Sequence, residues 1–244
     1  MKFRYTLLIN LIINNTAELN EKTQRDTEKY KTNMKIKICG LKEAKNLRQV
    51  SEANPDYMGF IFYPKSKRFV GDEFSKTTLA KIPESILKTA VFVNESQENI
   101  LKTVQKYDFQ AVQLHGNEST EICKQLKLQN LIVIKVFAMD DCFDFETLHP
   151  YENHCDYFLF DTKTKHFGGS GKSFDWNLLQ QYHLKTPFFL SGGLGIENLE
   201  AILKLKHNKL YGLDFNSKLE ISPGIKNIQL INKVLDTIKN YEHI

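Results

Sequence analysis

The chain is sparing with the residues that announce special chemistry. Its 244 residues contain four cysteines and one tryptophan. Cys39, Cys123, Cys142 and Cys155 form no C-x-x-C pair, and no histidine stands near them at zinc-ligand spacing. That argues against a structural zinc or a disulfide scaffold and fits reduced thiols in a cytoplasmic setting. The seven histidines are scattered, so no metal site is indicated. Charge of one sign is lacking too: the net charge is +4, and residues 1–33 hold six Lys/Arg against four Asp/Glu, so half of that excess lies there. A remainder so near neutral leaves no footprint for nucleic acid. No apolar run is long enough to span a bilayer; Thr6 to Ile13 is short and broken by Asn10.

What is present is a repeated unit. From Met34 onward, short apolar runs alternate with helical spacing at intervals of roughly 20–30 residues. The strands are expected at 35–39, 57–62, 89–93, 111–116, 131–137, 157–160, 188–190 and 210–214. Helices are expected at 42–53, 74–82, 119–128, 176–182, 196–205 and 228–238, with one capped by Ser96 and a weak one at 141–149. Eight strands, each followed by a helix, predict a single (β/α)8 TIM barrel over 34–244, of the usual size of roughly 250 residues. An open doubly wound sheet would want G-x-G-x-x-G at its first turn, and Cys39-Gly40-Leu41-Lys42 does not supply it. Residues 1–33 fall outside the pattern and are expected to be a leader, disordered or appended. No small-x-small cleavage site follows the apolar stretch.

Barrel enzymes gather their chemistry at the carboxyl ends of the strands. Cys39 ends the first, His115 the fourth and Asp161 the sixth. A cysteine in such a place can be a small buried hydrophobe or a reactive thiol. A carboxylate there is costly unless it is paired, capping or catalytic. Arg68 lies in a cationic loop and suits a clamp on a substrate carboxylate, or merely solvated surface. Gly192 and Gly193, then Asn216 and Ser217, follow the last two strands, where backbone N–H groups can cradle phosphate. Gly168-Gly-Ser-Gly-Lys-Ser173 looks like the end of a P-loop, but the glycine that motif needs is His166, so a hinged lid is the better expectation. Lys135 could form a Schiff base, although its apolar neighbours favour a structural role.

Several stretches together resemble the phosphoribosylanthranilate isomerase family. They are Lys37-Ile-Cys-Gly-Leu41, Gly59-Phe-Ile-Phe-Tyr-Pro-Lys-Ser-Lys-Arg68, Val91-Phe-Val-Asn94, Val112-Gln-Leu-His-Gly116, Phe160-Asp-Thr162, Phe167 to Trp176 and Leu190-Ser-Gly-Gly-Leu194. The resemblance implies an Amadori rearrangement in tryptophan biosynthesis. Asp161 would protonate the ribose ring oxygen as general acid, and Cys39 would take the C2′ proton as general base. Arg68 would hold the anthranilate carboxylate; His115 would touch substrate; Gly192, Gly193, Asn216 and Ser217 would hold the phosphate. No cofactor or metal is implied, and a monomer or a homodimer both fit. One departure stands out. The family has Ser-Gly-x-Glu after its last strand, whereas Asn216-Ser-Lys-Leu-Glu220 puts Lys218 where that glycine is expected. A positive φ there would cost of order 1 kcal/mol; otherwise Lys218 adds charge near the phosphate. A Schiff-base aldolase using Lys135, or a phosphate-ligand binder without turnover, remain the alternatives at this point.

Overall fold

In the computed structural model, which describes residues 34–71, 74–163 and 173–242, eight parallel strands close into a barrel. They are β1 (Lys35–Ile38), β2 (Tyr57–Ile61), β3 (Leu87–Phe92), β4 (Ala111–Leu114), β5 (Ile132–Met139), β6 (Tyr157–Thr162), β7 (Phe188–Leu190) and β8 (Leu210–Phe215). Each pairs with the next in sequence, and β1 pairs with β8, setting Lys37 opposite Asp214. All eight expected strands are found, with ends moved by a residue or two. The leader expected at 1–33 and the lid at 168–173 lie outside the described residues, except for Ser173.

The helices α1 (Ala44–Glu52), α2 (Lys76–Leu79), α3 (Gln97–Tyr107), α4 (Thr120–Lys127), α5 (Leu199–Leu203) and α6 (Ile228–Glu242) surround the sheet. Ser96 caps α3 as expected, its side chain accepting from the Asn99 N–H. The expectation of a helix after every strand is corrected at two places. Phe145–Tyr151 and Trp176–Gln181 are 3-10 turns. The first contains Pro150, which has no N–H to donate to an α-helical ladder. A small hairpin, β9 (Glu220–Ser222) with β10 (Ile225–Lys226), also intervenes before α6 and was not expected.

Two apolar layers hold the fold. The larger lies between sheet and helices and includes Ile36, Ile38, Leu47, Phe160, Tyr182, Phe188 and Ile231. The smaller fills the barrel itself: Tyr57, Ile134, Val136, Leu159 and Phe189, with Tyr157 and Tyr211 packed against them. Strand residues alternate between these layers, because successive side chains point to opposite faces. Toward the carboxyl ends the inward set turns polar and makes the floor of a cleft. Phe160 is central to the outer layer, with ring centroids 4.9 Å from Phe188 and 5.3 Å from Tyr182. Phe160→Ala should therefore lose about 3–5 kcal/mol of unfolding free energy in urea melts. Ile221→Ser, on an exposed hairpin residue, should stay within about 0.5 kcal/mol.

Candidate active site

A cleft at the carboxyl rim is lined by residues from most of the strands, among them Cys39, Arg68, His115, Asp161, Gly192, Gly193, Asn216 and Ser217. Each residue expected to form the site thus faces one cavity. Gln113, Ser191 and Asp214 line it as well.

Cys39 leaves β1 with its N–H donating to the Phe215 carbonyl at 2.9 Å. Its side chain is buried against β2, where Gly59 leaves it room. A Cβ on Gly59 would stand 2.7 Å from the Cys39 sulfur. Burial pushes the thiol up, and the Lys37 ammonium works against that push. Asp161 accepts a 2.8 Å hydrogen bond from the Thr162 N–H through Oδ1. Its Oδ2 lies 3.5 Å from Nε2 of His115. Gly192 passes close by with φ of 90°, and a Cβ there would meet Asp161 Oδ1 at 3.0 Å and the Thr162 nitrogen at 2.7 Å. Glycine is needed at 192 both for its backbone angle and for the approach.

Arg68 is fixed rather than solvated. Its Nε donates to both oxygens of Glu220, at 2.9 and 3.1 Å, and its Nη2 to Oε2 at 2.6 Å. This fork grips one carboxylate from two guanidinium nitrogens. Glu220 in turn accepts from Lys226 Nζ at 2.9 Å. Lys226 spends its remaining donors on the Asn216 carbonyl, at 3.1 Å, and on the Asn216 side chain, at 2.9 Å. The hairpin therefore ties the clamp after β2 to the loop after β8. Asn46 of α1 holds the backbone of Lys226 from both sides, at 2.9 and 2.7 Å.

Two open questions close here. Lys135 lies on the helix-facing side of β5 and does not line the cleft. Its Nζ is bound to the Gly116 carbonyl at 2.8 Å and to Glu118 at 3.2 Å, both side chains being almost wholly buried. It is a structural lysine that anchors the rim beside His115, and the Schiff-base reading falls. Lys218 carries no left-handed strain, because the described non-glycine residues with positive φ are Asn54, Asn94, Asp108 and Asn130. Its Nζ pairs with Glu197 at 2.7 Å across the loops after β7 and β8.

Lys37, Asp214, Glu220 and Lys226 were not singled out from the sequence as site residues. Alternation along Lys35-Ile-Lys-Ile-Cys39 does put Lys37 and Cys39 on one face. Which face looks into the barrel was not legible from that strand.

Fold and cleft define a class: a (β/α)8 barrel with a thiol, carboxylates, a histidine and a guanidinium at the carboxyl rim, and no lysine among the described cleft residues. The family model for N-(5'-phosphoribosyl)anthranilate (PRA) isomerase matches residues 36–237. A protein of that name from Phocaeicola vulgatus is 44% identical over 206 residues, covering 84% of this chain and 98% of the relative. The Thermotoga maritima counterpart is 34% identical over 207 residues, with 84% and 98% covered. A crystal structure of phosphoribosyl anthranilate isomerase from Thermotoga maritima superposes with a TM-score of 0.75 at 33% identity, covering 85% of this chain and 99% of that one. The chain belongs to the N-(5'-phosphoribosyl)anthranilate isomerase family.

The hub at Lys226 makes a pH signature. Burial lowers its ammonium from 10.5 to about 8, with Glu220 opposing. Between those values the unfolded chain binds a proton that the folded chain does not, so this group adds stability as pH rises. The increment is full above 10.5 and is lost as pH falls through about 8. In urea melts the stability of the wild type relative to Lys226→Met should thus widen from about pH 8 upward. A constant difference across that window would contradict the assignment.

Proposed function

We propose that the cleft carries out the reaction for which the family is named, with Asp161 as general acid and Cys39 as general base. The chain isomerises N-(5'-phosphoribosyl)anthranilate to 1-(2-carboxyphenylamino)-1-deoxyribulose 5-phosphate, a step in L-tryptophan biosynthesis. The observation that carries the residue roles is the shared cleft. It holds an acid, a thiol, a guanidinium and two loops of small residues on one framework.

The chemistry follows from proton positions. The glycosylamine nitrogen pushes its lone pair toward C1′ while Asp161 delivers a proton to the leaving ring oxygen. His115, 3.5 Å from that carboxyl, orients it. The open-chain iminium acidifies C2′–H, and Cys39, as thiolate, removes that proton. The electron pair flows into the C1′–C2′ bond, and the resulting enamine-enol tautomerises to the ketose. Proton donor and acceptor both come from the chain, so general acid–base catalysis covers both steps.

Arg68 suits the anthranilate carboxylate, since Glu220 presets its fork. Gly192, Gly193, Asn216 and Ser217 offer N–H and hydroxyl groups to the phosphate, and Lys218 brings a cation beside them that Glu197 shares. A related solved structure of the family bears the reduced product, reduced 1-(o-carboxyphenylamino)-1-deoxyribulose 5-phosphate, at 29% identity and TM-score 0.72. That supports a small phosphorylated ligand here. All the residues named come from one chain, which suits a monomer and a homodimer alike. The four cysteines are free, which supports a reducing, cytoplasmic setting.

The direct test is fluorescence-monitored consumption of phosphoribosylanthranilate generated in situ. Asp161→Asn and Cys39→Ala should each lower kcat by about 10²–10⁴-fold with a modest effect on ligand affinity. Turnover retained in either variant would remove that residue from the mechanism. Truncation to 34–244 should leave turnover intact; an inactive truncation would assign residues 1–33 a part in the fold.

A further inference from the structure

Beneath the cleft lies a buried charge that the mechanism above does not use. Lys37 precedes Cys39 by two residues, so strand alternation puts both side chains on the inner face of the barrel. The β1–β8 ladder sets Lys37 beside Asp214. Its Nζ donates to Asp214 Oδ1 at 2.9 Å, with side-chain exposures of 0% and 5%. An ammonium has three N–H groups. The carboxylate takes one, and the Cys39 thiol stands two residues along on the same face of β1. Cys39 and Asp214 line the cleft, whereas Lys37 does not. Lys37 is thus out of reach of substrate and acts only through its neighbours.

We propose that Lys37 is the positioning residue for the base: its ammonium, anchored by Asp214, stabilises the thiolate that Cys39 becomes on giving up its proton, against the cost of burying that charge. The proposal rests on the role given to Cys39 above, but its principal readout needs no turnover. The need is physical. A thiol buried in this way resists ionising, and a neutral thiol cannot take a proton from carbon. Desolvation dominates at Cys39, the Lys37 and Lys226 cations oppose it, and the Asp214 anion adds to it. Arg68 approaches with its aliphatic stem against Gly40, and Asp161 and His115 complete the charged lining. Lys226 is engaged with Glu220 and Asn216, so its charge is largely offset. Of the cations, Lys37 opposes the burial of that charge most strongly. Asp214 has two opposed effects: it keeps Lys37 protonated and in place, and it repels the thiolate.

The test reads the thiolate directly. Iodoacetamide alkylation of Cys39 is followed against pH in the full chain, by peptide mass spectrometry so that exposed Cys142 is counted separately. Lys37→Met should move the alkylation midpoint up by about one pH unit or more, roughly tenfold less thiolate at a fixed pH. Asp214→Asn should move it less than Lys37→Met does, because loss of the repelling anion and loss of the anchor for Lys37 act in opposite directions. Lys37→Arg should restore much of the wild-type position. The pH profile of kcat/KM should follow in each variant, with KM changing less than kcat. An unmoved midpoint in folded Lys37→Met overturns the proposal. Should Lys37→Met not fold, the double variant Lys37→Met, Asp214→Asn is read against Asp214→Asn, and a midpoint that is not higher in the double variant overturns it. If Cys39→Ala keeps its turnover, the base assignment fails, while the midpoint shifts still decide whether Lys37 governs that thiol.

Discussion

Closure of the barrel between β1 and β8 is the constraint on which the site depends. It brings Lys37 within 2.9 Å of Asp214, although 177 residues separate them. A charge pair this deep is tolerated only when each member is satisfied, because removing one partner strands the other without water. The pair therefore fixes the relative position of the first and last strands where their side chains face inward. Cys39 follows directly on one strand and the Asn216–Ser217 loop on the other. The thiol and the Asn216–Ser217 loop are placed by the same ladder.

A second set of charges does the equivalent work at the rim. Glu220 gathers Arg68, Lys226 and the Gly224 N–H. Burial pushes Glu220 up, but these donors outweigh it and hold the carboxyl below its usual range. An arginine already bound in a fork loses little freedom on meeting a ligand carboxylate, so its ordering cost is met in folding rather than in binding. Lys135 and Glu118 do the same for the β4 rim, where Glu118 also accepts from the Asn94 and Gly116 N–H groups. Cys39, Arg68 and the β4 rim are thus each supported by a buried ion pair.

Much of the site could be read from the chain because strand ends are local. Cys39, His115 and Asp161 each close an apolar run before a turn, and barrels keep chemistry there. The glycines at 192 and 193 and the pair Asn216–Ser217 stand after the last strands for the same reason. The supporting charges were not legible in that way. Lys37 alternates with isoleucines on β1, and alternation shows two faces without showing which is inward. Glu220 and Lys226 belong to a two-stranded hairpin too short to leave a periodic signal. Lys218 looked like a source of backbone strain because a glycine was expected there, yet its φ is ordinary and its charge is spent on Glu197.

The sequence by itself determined the architecture and the roster of residues that meet in the cleft. Strand period, helix spacing and turn residues are short-range properties, and eight repeats of them leave few ways to bury the apolar faces. Only the tertiary structure decided what each group can do there. Whether Cys39 sits beside a cation, whether Arg68 is free or already gripped, and whether Lys135 faces substrate or a buried glutamate are contacts between residues far apart in the chain. Their strength depends on how much water the closed barrel excludes, a property of the assembled fold that no local pattern carries.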